Sequence, residues 1–349
     1  MRILIIGAIS FPGSLESSYY RAFKKMKGVE IVLFDIEKKS LFKRVLGNGI
    51  LDRAKRRIYF HLKNNFLRKK FLHYLKNGIY KDIDLVVDFK SYWLTPNILR
   101  VLKQNTKALI FHINPDSPFD KIGGNFHSNL KDCIHFYDCY FTYSKKLVPK
   151  LYKLKAKRVK HLPFAWDPEL HPVININSDD IQKYKSDIAF IGNWTPEREK
   201  WLESIADMDL TIWGTYLWER LRKNSLLIKK LKGVVIGEEF VKVCRASKIN
   251  LNFLRPQNKD SHNMRTFEVP GCGGFLLTER SKEQCEFFKE GKEIACFSTP
   301  EELREKIEYY LSHEEERKKM VKAAHEKVKN YTYLHRAKRI LEVYEELKS

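Results

Sequence analysis

Short apolar runs, each followed by a segment of helical pattern, recur along the whole sequence. In the first half the runs occupy residues 3–7, 30–35, 84–89, 108–113, 139–143 and 159–162. Near-continuous runs of Val, Ile, Leu and Phe between helices are typical of parallel strands that are buried on both faces. The sequence therefore predicts an α/β fold built on a parallel sheet.

A linker-like segment at 166–185 separates this series from a second one. It mixes Pro, Asp, Ser and Asn without periodicity, which is typical of a domain boundary. Further apolar runs occur at 187–191, 210–214, 233–237, 249–253, 274–279 and 293–297. Two such series predict two doubly wound, Rossmann-like domains that face a cleft, with ligands beyond the carboxyl ends of the strands. We expect domains at 1–168 and 169–330, and a helix at 331–349 that packs back toward the first domain.

The composition favours a folded protein and argues against a membrane span and a zinc site. Apolar residues make up 43% of the chain, enough to bury two cores, and no apolar run reaches the roughly 18 residues of a membrane span. The six cysteines form no CxxC pair, which argues against zinc and favours reduced thiols in a cytoplasmic protein.

The formal net charge of +22 has two interpretations, a polyanionic partner or a solvated lysine-rich surface. Residues 41–79 carry eleven Lys or Arg and one acid. Apolar residues recur there at roughly helical spacing: Leu51, Ile58, Leu62, Phe66 and Tyr74. This predicts a basic helical insertion that either docks on anionic lipid or nucleic acid, or is a domain helix with an exposed basic side.

The stretch 251–280 carries the clearest chemistry. It predicts a strand, a polar loop, a short helix with Glu268 in its first turns, a glycine turn and another strand. The free N–H groups of a helix N-terminus bind phosphate, and a carboxylate one turn further in can hold a pair of hydroxyls. Sugar nucleotides present both groups.

Other loops that come after strands supply candidate ligands for the same edge. Gly192 and Asn193 form a turn before a helix whose first turn carries Arg198, which can reach a diphosphate or lie exposed. Trp213, before Gly214, can stack on a nucleobase or fill the core. Between Asp260 and Glu268, the start of the predicted helix presents further candidates: His262, Asn263 and Arg265.

These segments resemble the GT-B glycosyltransferases, specifically the CgeB-like (spore maturation) branch of the glycosyl transferases group 1. The resemblance covers about residues 80–345 and is most specific in IAFIGNWTPER, LTIWG, INLNF and RTFEVPGCGGFLLTE. It implies a GT-B fold and a transferase that uses a nucleotide sugar as substrate, without a cofactor.

The resemblance also implies roles for individual residues. Related retaining enzymes carry two acids separated by seven residues: the second, here Glu268, holds the ribose, and the first, here Asp260, contacts the donor sugar. Asp is one methylene shorter than the usual Glu. Arg198 and Arg265 would neutralise the diphosphate with the helix amides, so no metal is expected.

The first domain is expected to bind the acceptor. Asp116, in the stretch 112–118 after a strand, can orient or deprotonate an acceptor hydroxyl, or be part of a structural turn. Asp88 is a second candidate. The triplets Asp82-Ile-Asp84 and Asp207-Met-Asp209 precede strands, so we interpret them as turns rather than a metal site.

The leading hypothesis is a metal-independent glycosyltransferase in the cytoplasm that transfers a sugar to a glycan, lipid-linked or protein acceptor. Its basic helix would hold it at the inner membrane face. The alternatives are a DNA-modifying glycosyltransferase, a non-catalytic nucleic-acid or glycan binder on a degenerate scaffold, and a sugar-nucleotide epimerase.

Overall fold

The computed structural model describes residues 1–37, 50–90, 93–120 and 129–349, and of residues 50–57 it describes the backbone alone. The strands of this described part are β1 (Arg2–Gly7), β2 (Glu30–Asp35), β3 (Leu85–Phe89), β4 (Leu109–Asn114), β5 (Cys139–Thr142), β6 (Val159–His161), β7 (Ser186–Ile191), β8 (Leu210–Trp213), β9 (Leu231–Lys232), β10 (Ser247–Asn252), β11 (Leu276–Glu279) and β12 (Ala295–Phe297). They pair in parallel within two sheets of six strands, as the apolar runs predict.

Helices connect most of the strands. The α-helices of the described residues are α1 (Leu15–Lys24), α2 (Ile50–Lys76), α3 (Pro96–Asn105), α4 (Leu130–Cys133), α5 (Val148–Lys153), α6 (Ser178–Tyr184), α7 (Pro196–Glu203), α8 (Glu238–Ala246), α9 (Arg265–Cys272), α10 (Lys282–Phe287), α11 (Pro300–Ser312), α12 (Glu314–Val328) and α13 (Tyr333–Lys348). Alternation of strand and helix along the chain makes each sheet a doubly wound, Rossmann-like layer.

Contacts divide the chain into two compact units. The amino-terminal unit comprises Met1–Pro163 and Ala337–Ser349, and the carboxyl-terminal unit comprises Phe164–Arg336. Each unit has its own buried core, and the central strands of each are almost free of solvent exposure, as at Ile5 and Ile249. These strands stabilise the sheets chiefly by burying apolar side chains on both faces.

The order of strands locates the ligand-binding edge of each sheet. The amino-terminal order is β2-β1-β3-β4-β5-β6, and the carboxyl-terminal order is β12-β11-β10-β7-β8-β9. The strand order reverses between β1 and β3 in the first sheet and between β7 and β10 in the second. Doubly wound sheets bind ligands at such switch points, beyond the carboxyl ends of the two strands.

The basic helix packs through a different face from the one that the sequence suggested. Of 41–79, residues 41–49 lie outside the described part. Leu67, Phe71 and Leu75 are buried in the amino-terminal core. Ile58, Leu62 and Phe66, which the sequence pattern grouped as an apolar face, are exposed. Phe71 contacts the rings of Phe34, Tyr80 and Trp93, and these aromatic contacts decide which face is buried.

The strand predicted at 233–237 is wrong. Pairing with β8 ends at Lys232, and Gly237 has a positive φ of 62° at the start of α8. Val234 and Ile236 are exposed while Val235 between them is buried, so the run contributes one apolar side chain to the interior without forming a strand. The run matches a strand in composition, but its side chains have no neighbouring strand to pack against.

Candidate functional site

The switch point of the carboxyl-terminal sheet is surrounded by polar side chains. The loop after β7 contains Asn193 and Thr195, and Thr195 caps α7 by accepting a hydrogen bond from the backbone N–H of Arg198 at 3.3 Å. Helix α9 comes after β10 and begins without a side-chain cap. The N–H groups of Thr266, Phe267 and Glu268 already donate to the carbonyls of Asn263 and Met264. What this end of α9 offers an anion is therefore chiefly the positive end of the helix dipole.

Arg265 and Glu268 form an ion pair on the first turn of α9. They are three residues apart and therefore share one side of the helix. Arg265 Nε also donates to the carbonyl of Ile191, the last residue of β7, at 3.2 Å, and its guanidinium lies 4.5 Å from the ring centre of Phe240. The arginine thus links α9 to β7 across the switch point, while Glu268 is 3% exposed.

A residue that sequence reasoning did not assign, His171, lies beside this pair. Its Nδ1 is 4.0 Å from Glu268 Oε1, and its ring is tilted by 39° against that of Phe240 with centroids 4.6 Å apart. His171 belongs to LPFAWDPELHP at 162–172, a further stretch that resembles the GT-B glycosyltransferases, so the resemblance contained a signal for it. The carboxylate is therefore flanked by a guanidinium and an imidazole.

Asn263 lies just before α9, and its side chain is fixed by a hydrogen bond to the end of β10. Its Nδ2 donates to Asn252 Oδ1 at 2.8 Å, at the end of β10. Asn263 Oδ1 is buried and has no hydrogen-bond partner among the described residues. The geometry leaves this oxygen as an acceptor for a hydroxyl at the same edge.

Arg198 is buried, which excludes the simple exposed helix start. Its two terminal nitrogens donate to the carbonyls of Asn193 and Phe253, each at 2.9 Å. Burial, with help from the neighbouring Arg255 and Arg265 charges, lowers the pKa of Arg198 to about 9. The side chain therefore ties the loop after β7 to the residue just past β10, and contributes positive charge from within the unit.

His262 requires a correction as a donor-binding residue. It is completely buried; its Nε2 accepts from the backbone N–H of Phe164 at 3.1 Å, and its Nδ1 donates to Glu283 at 2.9 Å. Burial, opposed by Glu283, lowers the pKa of His262. Both ring nitrogens are occupied inside the unit, so the imidazole braces the loop instead of reaching a ligand.

Trp213 also belongs to the core, as the alternative interpretation had it. It is 8% exposed, and its ring centroid lies 5.6 Å from that of Tyr184. The neighbouring Gly214 has no room for a side chain, because a Cβ there would lie 2.3 Å from the Trp218 indole nitrogen. A Cβ at Gly192 would similarly meet Phe190 at 2.8 Å. Both glycines thus allow the rings of Trp218 and Phe190 to pack directly against the backbone after β8 and β7.

Asp260 is exposed and has a φ of 64°, in the left-handed region that Asp tolerates better than most residues. It precedes the buried Ser261 and His262, so its carboxylate projects from a loop whose next residues are fixed. The structure therefore presents Asp260 and Glu268 differently, one in solvent and one in the interior.

Three charged residues meet at the switch point of the amino-terminal sheet. Lys90, directly after β3, pairs with Asp116 at 3.1 Å and has an unusual positive φ of 35°. Glu16, in the first turn of α1, is 5% exposed, and burial raises the pKa of its carboxyl although the Lys90 charge opposes this. Sequence reasoning identified Asp116 but missed Glu16 and Lys90.

The space for Glu16 depends on Gly7, the last residue of β1. A Cβ at Gly7 would lie 2.6 Å from Glu16 Cγ, so glycine is needed at this point. Nothing local in the sequence reveals that Glu16 turns inward. The pairing of β1 with β3 brings the two chain segments together.

Asp88 forms a buried network on the same sheet. Its Oδ2 accepts from His112 Nδ1 at 2.7 Å and from the Tyr137 hydroxyl at 3.4 Å. The His112 ring lies between Tyr137 and Tyr140, with centroid distances of 4.6 and 4.7 Å. With Asp88 0% exposed and His112 3% exposed, the pair is enclosed by aromatic rings. Asp116, with its side chain 22% exposed, is the more accessible carboxylate.

The two Asp-x-Asp triplets make structural contacts. Asp84 accepts from the backbone N–H of Arg2 at 2.7 Å, and Asp209 accepts from that of Asp187 at 2.9 Å. Asp207 is paired with Arg304 at 2.7 Å. These contacts lie at the amino ends of β3 and β8, which agrees with the interpretation as turn residues.

One group of three side chains in the described part of the chain offers possible metal-ligand atoms within 4.8 Å of one another: Cys285, Glu290 and Cys296. Glu290 is already paired with Arg280 at 2.7 Å. Burial raises the pKa of both thiols, which opposes the thiolate form that a metal requires. These features favour a structural role for the group.

Residues 198–342 match a protein family described as glycosyl transferase-like. That part of the chain is glycosyl transferase-like in sequence. It contains α8 to α12, β8 to β12 and the Arg265–Glu268 pair. None of the curated proteins is significantly similar to the sequence.

Solved structures match nearly the whole chain. A glycosyltransferase from Rickettsia africae is 14% identical, with a TM-score of 0.67 and coverage of 100% of this chain and 98% of that one. Sucrose-phosphate synthase from Thermosynechococcus elongatus is 14% identical, with a TM-score of 0.68 and 99% of each chain covered. Anabaena HepE in complex with UDP-glucose is 12% identical, with a TM-score of 0.67 and coverage of 99% and 100%. At this identity the likeness shows the fold, GT-B with two Rossmann-like domains.

Within the described residues, no helix has both the length and the apolar character needed to cross a membrane.

Proposed function

We propose that the protein is a glycosyltransferase that uses a nucleotide sugar as donor and belongs to the CgeB-like branch of the group 1 enzymes. The sequence match over 198–342, the GT-B fold and the charged residues at both switch points support this proposal. The observation that carries it is the Arg265–Glu268 pair at the uncapped start of α9.

In this proposal Glu268 accepts hydrogen bonds from the ribose hydroxyls, because an ionised carboxylate has lone pairs for both. Arg265 and the positive end of the α9 dipole receive the diphosphate. A guanidinium and a helix N-terminus bind phosphate oxygens through charge-assisted hydrogen bonds. Asp260, in the loop before α9, would contact the donor sugar.

Arg198 has a supporting part in the donor site. Its two hydrogen bonds to Asn193 and Phe253 fix the loops on either side of the switch point. Its charge, held in the interior, adds to the positive potential at the diphosphate. The leaving nucleoside diphosphate gains negative charge in the transition state, so fixed positive groups lower the barrier.

The amino-terminal unit would bind the acceptor, a glycan, a lipid-linked sugar or a protein side chain. We assign Asp116 as the carboxylate that orients or deprotonates the acceptor hydroxyl, since it is the most exposed carboxylate at that switch point. Lys90, between Asp116 and the buried Glu16, sets the local charge. A positioned base contributes about 10²- to 10⁴-fold in rate.

The proposal includes catalysis without a divalent metal, because Arg265, Arg198 and the helix amides supply the positive charge. Transfer should therefore persist in excess EDTA. A complete loss of turnover in EDTA, restored by Mg²⁺ or Mn²⁺, would remove this part of the proposal and leave the donor site intact.

The decisive experiment is a thermal-shift screen of nucleoside diphosphates and their sugars, and then turnover with the compound that binds. UDP-sugars are the first choice because the HepE structure contains UDP-glucose. A ligand at 100 times its Kd should add about 2.7 kcal/mol to the stability of the native protein. No shift with any activated sugar would contradict the proposal, and conversion of donor without acceptor would point to an epimerase.

A further inference from the structure

Helix α2 has two apolar faces, and only one of them is used inside the amino-terminal unit. Leu67, Phe71 and Leu75, spaced four residues apart, are 6%, 0% and 1% exposed. A second set with the same spacing is Ile58, Leu62 and Phe66, at 61%, 62% and 64% exposure. We call this second set the outer stripe.

The two sets lie on opposite sides of the helix. Positions 58 and 67 are nine residues apart, which is about two and a half turns at roughly 3.6 residues per turn. The outer stripe therefore points away from the core that Phe71 enters. Phe60, 55% exposed, adds another large apolar side chain in the same stretch.

Basic residues extend the outer stripe along the helix. Lys69, His73 and Lys76 continue it along the helix, and all three are exposed. The sequence of residues 50–76 contains nine Lys or Arg and one acid, Asp52. An apolar stripe bordered by basic residues is the pattern of a helix that lies in the plane of a membrane interface.

The cations nearer the core have local partners that hold the helix in place. Lys63 pairs with Glu37 at 2.6 Å, and Arg68 Nε donates to the carbonyl of Trp93 at 2.7 Å. The ammonium of Lys70 lies over the rings of Phe34 and Tyr74 at 5.7 and 5.5 Å. The helix is thus anchored through one side, and the outer stripe is presented on a fixed support.

We propose that the outer stripe of α2 docks on a lipid bilayer that carries anionic headgroups. The apolar side chains would enter the boundary between headgroups and acyl chains, about 5–10 Å deep, while Lys69 and Lys76 bind the headgroup phosphates. Such docking would bring the amino-terminal unit to a membrane-bound acceptor.

Charge selects this occupant over two others. A second copy of the chain would place the exposed Lys69 and Lys76 opposite the same residues, and like charges disfavour that contact. Nucleic acid is bound mainly by cations on its phosphates, which gives no use to three large apolar side chains at the centre of the face. An anionic bilayer satisfies both the stripe and its basic border.

The test is sedimentation of the full-length protein with vesicles of phosphatidylcholine alone and of phosphatidylcholine mixed with phosphatidylglycerol. Because each lysine near an anionic surface changes binding by about fivefold, the wild type should bind the mixed vesicles at least about tenfold better. Binding should weaken as salt is added. Equal binding to both vesicles, or none to either, would overturn the proposal.

Two variants distinguish binding through the outer stripe from nonspecific binding of vesicles by exposed apolar side chains. The triple change Ile58→Ser, Leu62→Ser and Phe66→Ser should reduce vesicle binding at least about tenfold. A matched control removes three exposed apolar side chains of the other unit, by Leu226→Ser, Val234→Ser and Ile236→Ser, and should leave binding unchanged. Circular dichroism verifies that both variants are folded.

Two further outcomes would assign the face differently. If the stripe variant binds vesicles like the wild type but changes a dimer into a monomer, the occupant is a second copy and the proposal fails. If it loses duplex DNA in a retardation assay while the wild type ignores vesicles, the face binds nucleic acid and the proposal fails. Neither outcome touches the donor site, which α9 carries.

Discussion

The switch points of the two sheets have different charges. In the amino-terminal unit, the carboxylates of Glu16 and Asp116 flank Lys90, and Glu16 is held with a raised pKa. In the carboxyl-terminal unit, Arg265 and His171 flank Glu268 at a helix N-terminus. In the proposed function, the first edge accepts a proton from a hydroxyl and the second receives a diphosphate and a ribose.

The difference arises in the segments that leave the carboxyl ends of the strands. After β7 and β10 come the helices α7 and α9, so two helix N-termini and the arginines Arg198 and Arg265 collect at that edge. After β1 comes a helix with an acid, Glu16, in its first turn. After β3 comes Lys90, which has a positive φ. Under the proposed function, the same doubly wound plan divides a transfer reaction between two chemistries, and we expect single substitutions to change one edge alone.

The largest effect is expected at Asp116. Asp116→Asn keeps the size of the side chain and removes its basicity, so kcat should fall by about 10²- to 10⁴-fold while the Kd for donor stays the same. Steady-state kinetics and calorimetry measure the two quantities. The matched control is Asp138→Asn, since Asp138 is paired with Lys103 and Lys157 in the same unit at the amino end of β5. A donor Kd that changes in Asp116→Asn would break the division of roles.

Glu268→Gln should act on the other edge. Loss of a charged hydrogen-bond acceptor costs about 1.5–3 kcal/mol, which corresponds to a Kd for nucleotide that rises about 10- to 150-fold. Glu283→Gln is the control, because Glu283 is also buried in this unit but bonds to Ser261 and His262. That control should lower Tm without changing the Kd. Equal Kd values for Glu268→Gln and wild type would remove the donor assignment.

Arg198→Met should affect stability more than chemistry. The change leaves the carbonyls of Asn193 and Phe253 without their donors, at a cost of about 1–3 kcal/mol for each buried group. Tm should fall, measured by calorimetry, and the folded variant should bind nucleotide only a few-fold more weakly. A variant with wild-type Tm and no nucleotide binding would instead place Arg198 in direct contact with the diphosphate.

Glu16→Gln has the smallest expected effect. It should raise the Tm, whereas the other changes lower kcat, nucleotide affinity or Tm. Burial raises the folded-state pKa of Glu16, so the native protein is penalised when the carboxyl ionises. The stability gained from its neutral form is complete below the unfolded pKa and is lost as pH rises through the folded one. Gln mimics the neutral form, so the variant should have the higher Tm at neutral pH. The difference should vanish on acidification, and a lower Tm at neutral pH would show that the charge is stabilising.

Sequence patterns predicted the parts of the fold that depend on local periodicity. The parallel strands, the short helix that carries Glu268 and the glycine turn after it are encoded by apolar runs and turn chemistry. The pairing of Arg265 with Glu268 is a consequence of their spacing of three residues. The strand at 233–237 failed because composition alone does not provide a neighbouring strand.

The features that the sequence patterns did not predict depend on contacts between residues that are far apart in the sequence. His262 stands in a polar stretch and looks available, but its partners are Phe164 and Glu283, far away in sequence. The sequence around Glu16 is that of an ordinary acid at a helix start. Its burial depends on the space beside Gly7, which belongs to another element. The buried face of α2 is selected by Phe34 and Trp93, so periodicity offered two faces and could not choose.

Hydrogen–deuterium exchange of the full-length protein, with and without a saturating nucleoside diphosphate from the screen, tests the central claim most directly. The account predicts protection of backbone amides at 191–195 and 263–268, with no change at 8–16 or 88–90. Protection confined to the amino-terminal segments, or none at the start of α9, would contradict it.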